Sequence, residues 1–147
     1  MGDERYELEV GLKAMVFEFT SVSSKKHIRK RVEYQNIGLE DYYNLAFGDV
    51  NLETNGIDDK VVSNNDDGEK VLATVASTIY TFIKSYPNAV IFAKGSNSVR
   101  TRLYRIGISN NLEELKKQFD VFGFIENVGW LKYEKNVDYS AFYITKK

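Results

Sequence analysis

The chain has 147 residues, 43% of them hydrophobic and 14% aromatic, with a formal net charge of −1 and no cysteine. That length and apolar share suit one domain with its own core and exclude a disordered chain. The missing cysteine excludes disulfides, thiol catalysis and thiolate metal sites, and the near-zero charge leaves any nucleic-acid binding to local patches.

The opening MGDERYELEV carries charge and lacks the apolar segment of a secretory signal. Tyr6 stands where a myristoylation signal needs Ser or Thr. No apolar run reaches the roughly 18 residues of a membrane span. These readings predict a cytoplasmic protein with no membrane partner. The residues from Leu12 to Val22 are rich in β-branched and aromatic types and predict a strand. A polar turn follows at Ser23 to Lys26. From His27 to Tyr34, Ile28, Val32 and Tyr34 alternate with His27, Arg29, Arg31 and Glu33, a period of two interrupted by Lys30. A third strand is predicted from Tyr42 to Glu53.

Asn55-Gly56 predicts a two-residue type I′ hairpin, because both positions of that turn need positive φ. Counting outward sets Glu53 opposite Asp58 and Val50 opposite Val61. Val50, Leu52, Ile57 and Val61 then share the core face, and a bulge near Gly48 is needed to bring Leu45 and Phe47 onto it. Asp66 with Glu69 resembles a capping box, and Val71, Leu72, Val75, Ile79, Phe82, Ile83 and Tyr86 recur at helical spacing before Pro87. Ala89 to Phe92 reads as a buried central strand. Helices follow at Ser98 to Ile106 and Leu112 to Phe119, then strands near Val121–Glu126, Trp130–Glu134 and Tyr139–Thr145. The order ββββ-α-β-α-α-βββ predicts an α+β fold, a largely antiparallel sheet with helices packed on one face.

YYNLAFGD (Tyr42–Asp49), EKVLATVASTIYTF (Glu69–Phe82) and SVRTRLYRIGISNN (Ser98–Asn111) together resemble a family of short hypothetical proteins from Bacteroidota-type bacteria, a domain of unknown function. The resemblance covers most of the chain. It implies one bacterial domain and brings no catalytic residues with it. NSVRTRLYRIGI (Asn97–Ile108) is also similar to the N-x-x-A-x-x-L-Y segment of GNAT acetyltransferases, but Arg100 replaces the small residue and the acyl-CoA loop has no counterpart.

Lys94-Gly95-Ser96-Asn97-Ser98 joins a strand to a helix start, where free N–H groups and the helix dipole suit a phosphate. Ser96 or Asn97 is the expected cap. Val99, Leu103 and Ile106 form the expected apolar side, Arg102 borders it, Arg100 and Tyr104 lie beside it, and Arg105 points away. The plain alternative is a capped helix with solvated arginines, since neither a Walker loop nor a dinucleotide fingerprint is present. KKHIRKR (Lys25–Arg31) presents a basic row for phosphates, with tyrosines nearby to stack on bases. Its plain alternative is a strand edge blunted by charge. Asp49, Asp58 and Asp59 are weak candidates for a divalent metal, against the alternative of a solvated hairpin tip. Asp59 falls on the apolar parity and suggests an ion pair with Arg102. His27, the only histidine, has no local nucleophile, which argues against a serine triad. Trp130 and the other aromatics are expected in the core.

The leading expectation is a small intracellular binding module for a phosphate-bearing or nucleic-acid partner, using Lys25, Arg29, Arg31, Lys94, Ser96, Arg100 and Arg105. The alternatives are a metal-dependent phosphodiesterase or nuclease and a protein-interaction module. The residues leave enzymatic activity and oligomeric state open and indicate no cofactor. The leading expectation requires the two basic segments to meet around the exposed helix tip.

Overall fold

Alternating apolar side chains need a partner layer on one side only, and the chain answers with a single sheet beneath helices. A computed structural model describes residues 4–24, 26–58 and 67–147. The strands are β1 (Glu9–Val10), β2 (Val16–Val22), β3 (His27–Asn36), β4 (Tyr42–Val50), β5 (Ile57–Asp58), β6 (Val90–Ala93), β7 (Phe119–Ile125), β8 (Gly129–Lys132) and β9 (Ala141–Lys146). The helices are α1 (Gly68–Ser85), α2 (Ser98–Asn110) and α3 (Leu112–Gln118). The sheet runs β1-β2-β3-β4-β6-β9-β7-β8, with β5 added to β4. Every described pairing is antiparallel except β4 with β6, which α1 connects. The α+β architecture is therefore as the element order predicts. No helix of the described residues is long and apolar enough to cross a membrane.

Cross-strand register assigns each side chain to a face. Phe17, Val32 and Phe47 are aligned, as are Ile91, Ile144 and Val121, and all are buried beneath the helices. Phe82 of α1 seats on this face, its ring stacked 4.0 Å from that of Tyr34 and edge-on to Tyr43 at 5.0 Å. Tyr80 of α1 meets Phe119 of β7 edge-on at 5.0 Å. The segment after β8 folds over the same side, where Tyr133 and Tyr139 are buried against Phe142. Among the described residues, no helix covers the opposite face.

Several local expectations are corrected. The connection at Asn55-Gly56 is not a two-residue hairpin. Asn51 N–H donates to the Gly56 carbonyl, Asn55 N–H donates to the Asn51 carbonyl, and Val50 pairs with Ile57. The Asn51 side chain accepts from Glu53 N–H and Thr54 N–H, winding one helical turn that Asn55 ends at φ 59°. Only Asn55 takes the positive φ, and the local side-chain acceptor outcompetes the tight turn. Asp49, not Glu53, therefore faces Asp58.

No bulge forms at Gly48, since pairing with β3 runs unbroken through it. The glycine is needed because a Cβ there would lie 2.6 Å from the Asp58 carbonyl oxygen. Val50 thus points to the opposite face from Phe47, and Leu52 is 89% exposed. Helix α1 has Asp67 as its N-cap, without a side-chain capping bond. Asp66, Val61 and Asp59 lie outside the described residues. Strand β6 is central, but only Ile91 and Ala93 are buried; Val90 and Phe92 are half-exposed. Helix α2 is turned from its expected orientation. It meets α1 through Gly107, whose absent Cβ would touch Leu72 at 3.4 Å, so Arg100, Gly107 and Ile108 face inward. Val99 and Arg102 are exposed in consequence.

Candidate functional site

Alternation in β3 divides KKHIRKR between the two faces of the sheet. Lys30 shares the parity of Val32 and Tyr34 and is buried beneath the helices, 2.6 Å from the Asp49 carboxylate and over the Phe47 ring. Arg29 and Arg31 share the parity of Glu33 and lie on the helix-free face. Their guanidinium groups are committed within the protein. Arg29 binds the Glu9 and Glu18 carboxylates and the Thr20 hydroxyl. Arg31 binds Glu18 at 2.6 Å and donates to the Asn55 carbonyl and side-chain oxygens, tying the 51–56 turn to the sheet. β3 lies inside the sheet, so the row is not edge protection either. Lys25 lies outside the described residues.

The strand–helix junction after β6 is on the other face. Asn97 is the cap, and its side chain accepts from Arg100 N–H at 2.9 Å. Gly95 packs directly on the first turn of α2 and donates to the Thr101 hydroxyl. The Arg100 side chain points inward. It is 4% exposed, donates to the Phe47 carbonyl and lies over that ring. Lys94 and Ser96 are exposed beside it. Arg105 is on the following turns, 2.5 Å from Asp138. Arg29 and Arg31 thus sit on one face and Arg100 on the other. This overturns the expectation that the two basic segments converge, because strand parity and helix rotation send them to opposite sides of one sheet.

Among the described residues the acidic side chains do not assemble a metal centre either, and the candidate Asp59 lies outside them. Asp49 is paired with Lys30 and lies opposite Asp58, and among the described residues no group of three or more His, Cys, Asp or Glu could hold an ion. A cleft of about 670 Å³ at the start of α1 is lined by Glu4, Asp67, Glu69 and Lys70 with Asn110 and Asn111. Asp67 accepts from the Tyr6 and Ser21 hydroxyls there, each at 2.5 Å, which straps the N-terminal segment to β2 and α1. The carboxylates around this cleft repel a phosphate.

What the helix-free face does carry is a continuous patch of rings. Tyr42 of β4, Phe92 of β6, Tyr143 of β9, Phe122 and Phe124 of β7 and Trp130 of β8 all point there. Tyr143 stacks on Phe122 at 4.5 Å, Phe92 lies 5.8 Å from Tyr143 and 5.9 Å from Tyr42, and Trp130 stands edge-on to Tyr143 at 4.9 Å. Tyr42 is 38% and Trp130 41% exposed. One cross-strand row reads Gln35, Asn44, Phe92, Tyr143, Phe122, Lys132. The expectation that Trp130 belongs to the core is therefore corrected. Polar side chains frame the rings: Asn44 and Gln35 at one end of the row, Lys132 at the other. This surface can stack a planar ligand and hydrogen-bond its edges.

A family model described as a family of unknown function, DUF6934, matches residues 2–147. The chain belongs to this family. No curated protein and no solved structure matches it. In this DUF6934 chain, Glu18 pairs with both arginines of the helix-free face. Burial pushes its carboxyl up, but the hydrogen bonds and charges of Arg31 and Arg29 outweigh that and hold it below its ordinary 4.5. Arg29 likewise holds Glu9 down.

A carboxylate with a depressed native pKa adds stability above its unfolded value and loses it as pH falls through the native one. Glu18→Gln should therefore cost roughly 1.5–3 kcal/mol at neutral pH, the range of a hydrogen bond to a charged group. The gap from the wild type should close as pH falls below about 4.5. Urea midpoints of both proteins between neutral and acid pH check this; a gap independent of pH would refute the linkage.

Proposed function

We propose that the chain is a binding module for single-stranded nucleic acid, with the ring patch on the helix-free face as its contact surface. The observation that carries this reading is the half-exposed, contiguous set of rings formed by Tyr42, Phe92, Tyr143, Phe122, Phe124 and Trp130. Water solvates such a surface poorly, and a protein gains from covering it. Every base has a π face, and stacking on an aromatic side chain contributes about 1–3 kcal/mol per base. An open sheet presents several rings at once, which suits splayed single-stranded bases rather than a duplex.

Charge plays a smaller part here than in the arginine-centred expectation. Arg29 and Arg31 are held by Glu18, Glu9 and Glu33. Lys132 stands in the ring row itself, opposite Phe122. Binding is then led by stacking, with few phosphate contacts. Because log affinity falls with log salt at a slope of about −0.7 per phosphate contact for single strands, a slope near −1 is expected rather than a steep one. The cysteine-free composition suits a reducing compartment, and we place this module in the cytoplasm.

The chain has a single tryptophan, Trp130, and it lies in the patch, so its fluorescence reports binding directly. Short single-stranded oligonucleotides should quench it saturably at low salt. Tyr143→Leu keeps apolar bulk but removes the π face, and should weaken binding about tenfold, within the cost of one stacked base. Absence of quenching and of any mobility shift at low salt would overturn the proposal. So would unchanged affinity in Tyr143→Leu.

A further inference from the structure

We infer that Asn44 selects adenine among the bases that stack on the neighbouring Phe92. This inference rests on the proposed nucleic-acid reading and gives it a base preference. It comes from a hydrogen-bond chain whose direction is set by chemistry. Arg31 lies 3.8 Å from the Glu33 carboxylate, and a carboxylate accepts hydrogen bonds and does not donate them. Gln35 reaches Glu33 at 3.0 Å and must present its N–H₂ there, which turns its carbonyl oxygen toward Asn44. Asn44 donates one N–H to that oxygen at 3.4 Å. The Asn44 amide is thereby oriented, with its own carbonyl oxygen and its second N–H left to face a ligand.

Register places this amide directly beside Phe92, at the end of the ring row. A base stacked on Phe92 turns an edge toward it. The amide offers one acceptor next to one donor, so it matches a base edge with one donor next to one acceptor. Adenine presents that pair on both its Watson–Crick edge, N6–H with N1, and its Hoogsteen edge, N6–H with N7. Guanine shows two acceptors on its Hoogsteen edge and matches only where O6 stands beside N1–H on its Watson–Crick edge, and cytosine and thymine likewise match on their Watson–Crick edges alone. Asparagine paired to adenine N6 and N7 is the general form of this contact. Tyr42, on the same strand as Asn44 and 5.9 Å from Phe92, extends the surface on which that base rests.

The test uses short oligothymidylates, with and without adenines at the centre, titrated against the full chain and followed by Trp130 fluorescence. Isolated adenines avoid the self-stacking of adenine runs. The adenine-bearing strand should bind at least about fivefold more tightly, within the range of a bidentate base contact. Asn44→Ala should abolish that difference, so that the two strands bind the variant equally. Circular dichroism of the variant establishes that the sheet is intact. Equal affinities in the wild type, or a preference that survives Asn44→Ala, would overturn the inference while leaving the ring-patch reading in place. Failure of every oligonucleotide to bind would remove both.

Discussion

Phe82→Ala should lower the free energy of unfolding by about 3–5 kcal/mol, the cost of a fully buried phenylalanine. Phe82 has no solvent exposure, and its ring is stacked on Tyr34 at 4.0 Å and on Tyr86 at 4.9 Å, and edge-on to Tyr43 at 5.0 Å. It joins the C-terminal half of α1 to β3 and β4, and those strands in turn position Asn44 and Tyr42. The Tyr34 hydroxyl is bonded to Thr78 of the same helix at 2.6 Å, so the aromatic site cannot collapse without breaking a buried polar contact. A small domain has only about 5–15 kcal/mol in total, so the variant should sit near the edge of unfolding at ambient temperature. Urea denaturation should show a lower midpoint with an unchanged slope. Leu52→Ala, at a side chain 89% exposed, should change stability by less than about 0.5 kcal/mol and serves as the control. A loss below about 1 kcal/mol at Phe82 would mean that this ring does not seat the helix.

Long periodic segments made the architecture legible. The α1 pattern from Val71 to Ile83 and the alternation from His27 to Tyr34 each repeat often enough to define a face, and both elements occur where the pattern puts them. Short-range chemistry was harder to weigh. Asn55-Gly56 looks like a two-residue turn until Asn51 is recognised as a side-chain acceptor for Glu53 and Thr54, which offers the backbone a competing helical turn. The tilt of α2 was hidden for a related reason. A helical wheel ranks faces by hydrophobicity, whereas α2 packs by closeness, through Gly107, and the Phe47 carbonyl and ring accommodate the inward Arg100.

The site was less legible than the fold. Arg29 and Arg31 do share a row, but their partners Glu9, Glu18 and Asn55 come from other elements, and a charge run in a sequence does not show what neutralises it. The ring patch escaped for the opposite reason. In FDVFGFI both parities are apolar, so Phe122 and Phe124 cannot be told from Val121 by alternation. Only the placement of all helices on one side decides which rings meet water. A usable signal did exist: Asn44 and Lys132 share parity with Tyr42 and Trp130 in short strands, marking those parities as solvent-facing.

Gly123→Ala should destabilise the fold by about 2–3 kcal/mol, through overpacking rather than through any backbone conformation. The added Cβ would sit within the van der Waals envelope of Cγ and Cδ1 of Tyr139 and 2.7 Å from its Cδ2. Tyr139 has little room to retreat. Its hydroxyl accepts from Glu134 N–H at 3.0 Å, its ring lies 5.1 Å from that of Tyr133, and Phe142 closes the other side. Tyr133 is pinned in turn, its hydroxyl 2.6 Å from that of Ser109 on α2. A methyl group at Gly123 therefore pushes the whole 133–140 cover away from β7. Tyr139→Ala removes the obstructing ring, so in that background Gly123→Ala should cost less than about 0.5 kcal/mol. A double-mutant cycle should give a coupling above about 1 kcal/mol. Additive effects would place the strain elsewhere. Gly68→Ala, with open space around its added Cβ at the start of α1, should instead leave stability unchanged or raise it by up to about 1 kcal/mol. The two glycines separate cleanly on what their absent side chains would meet.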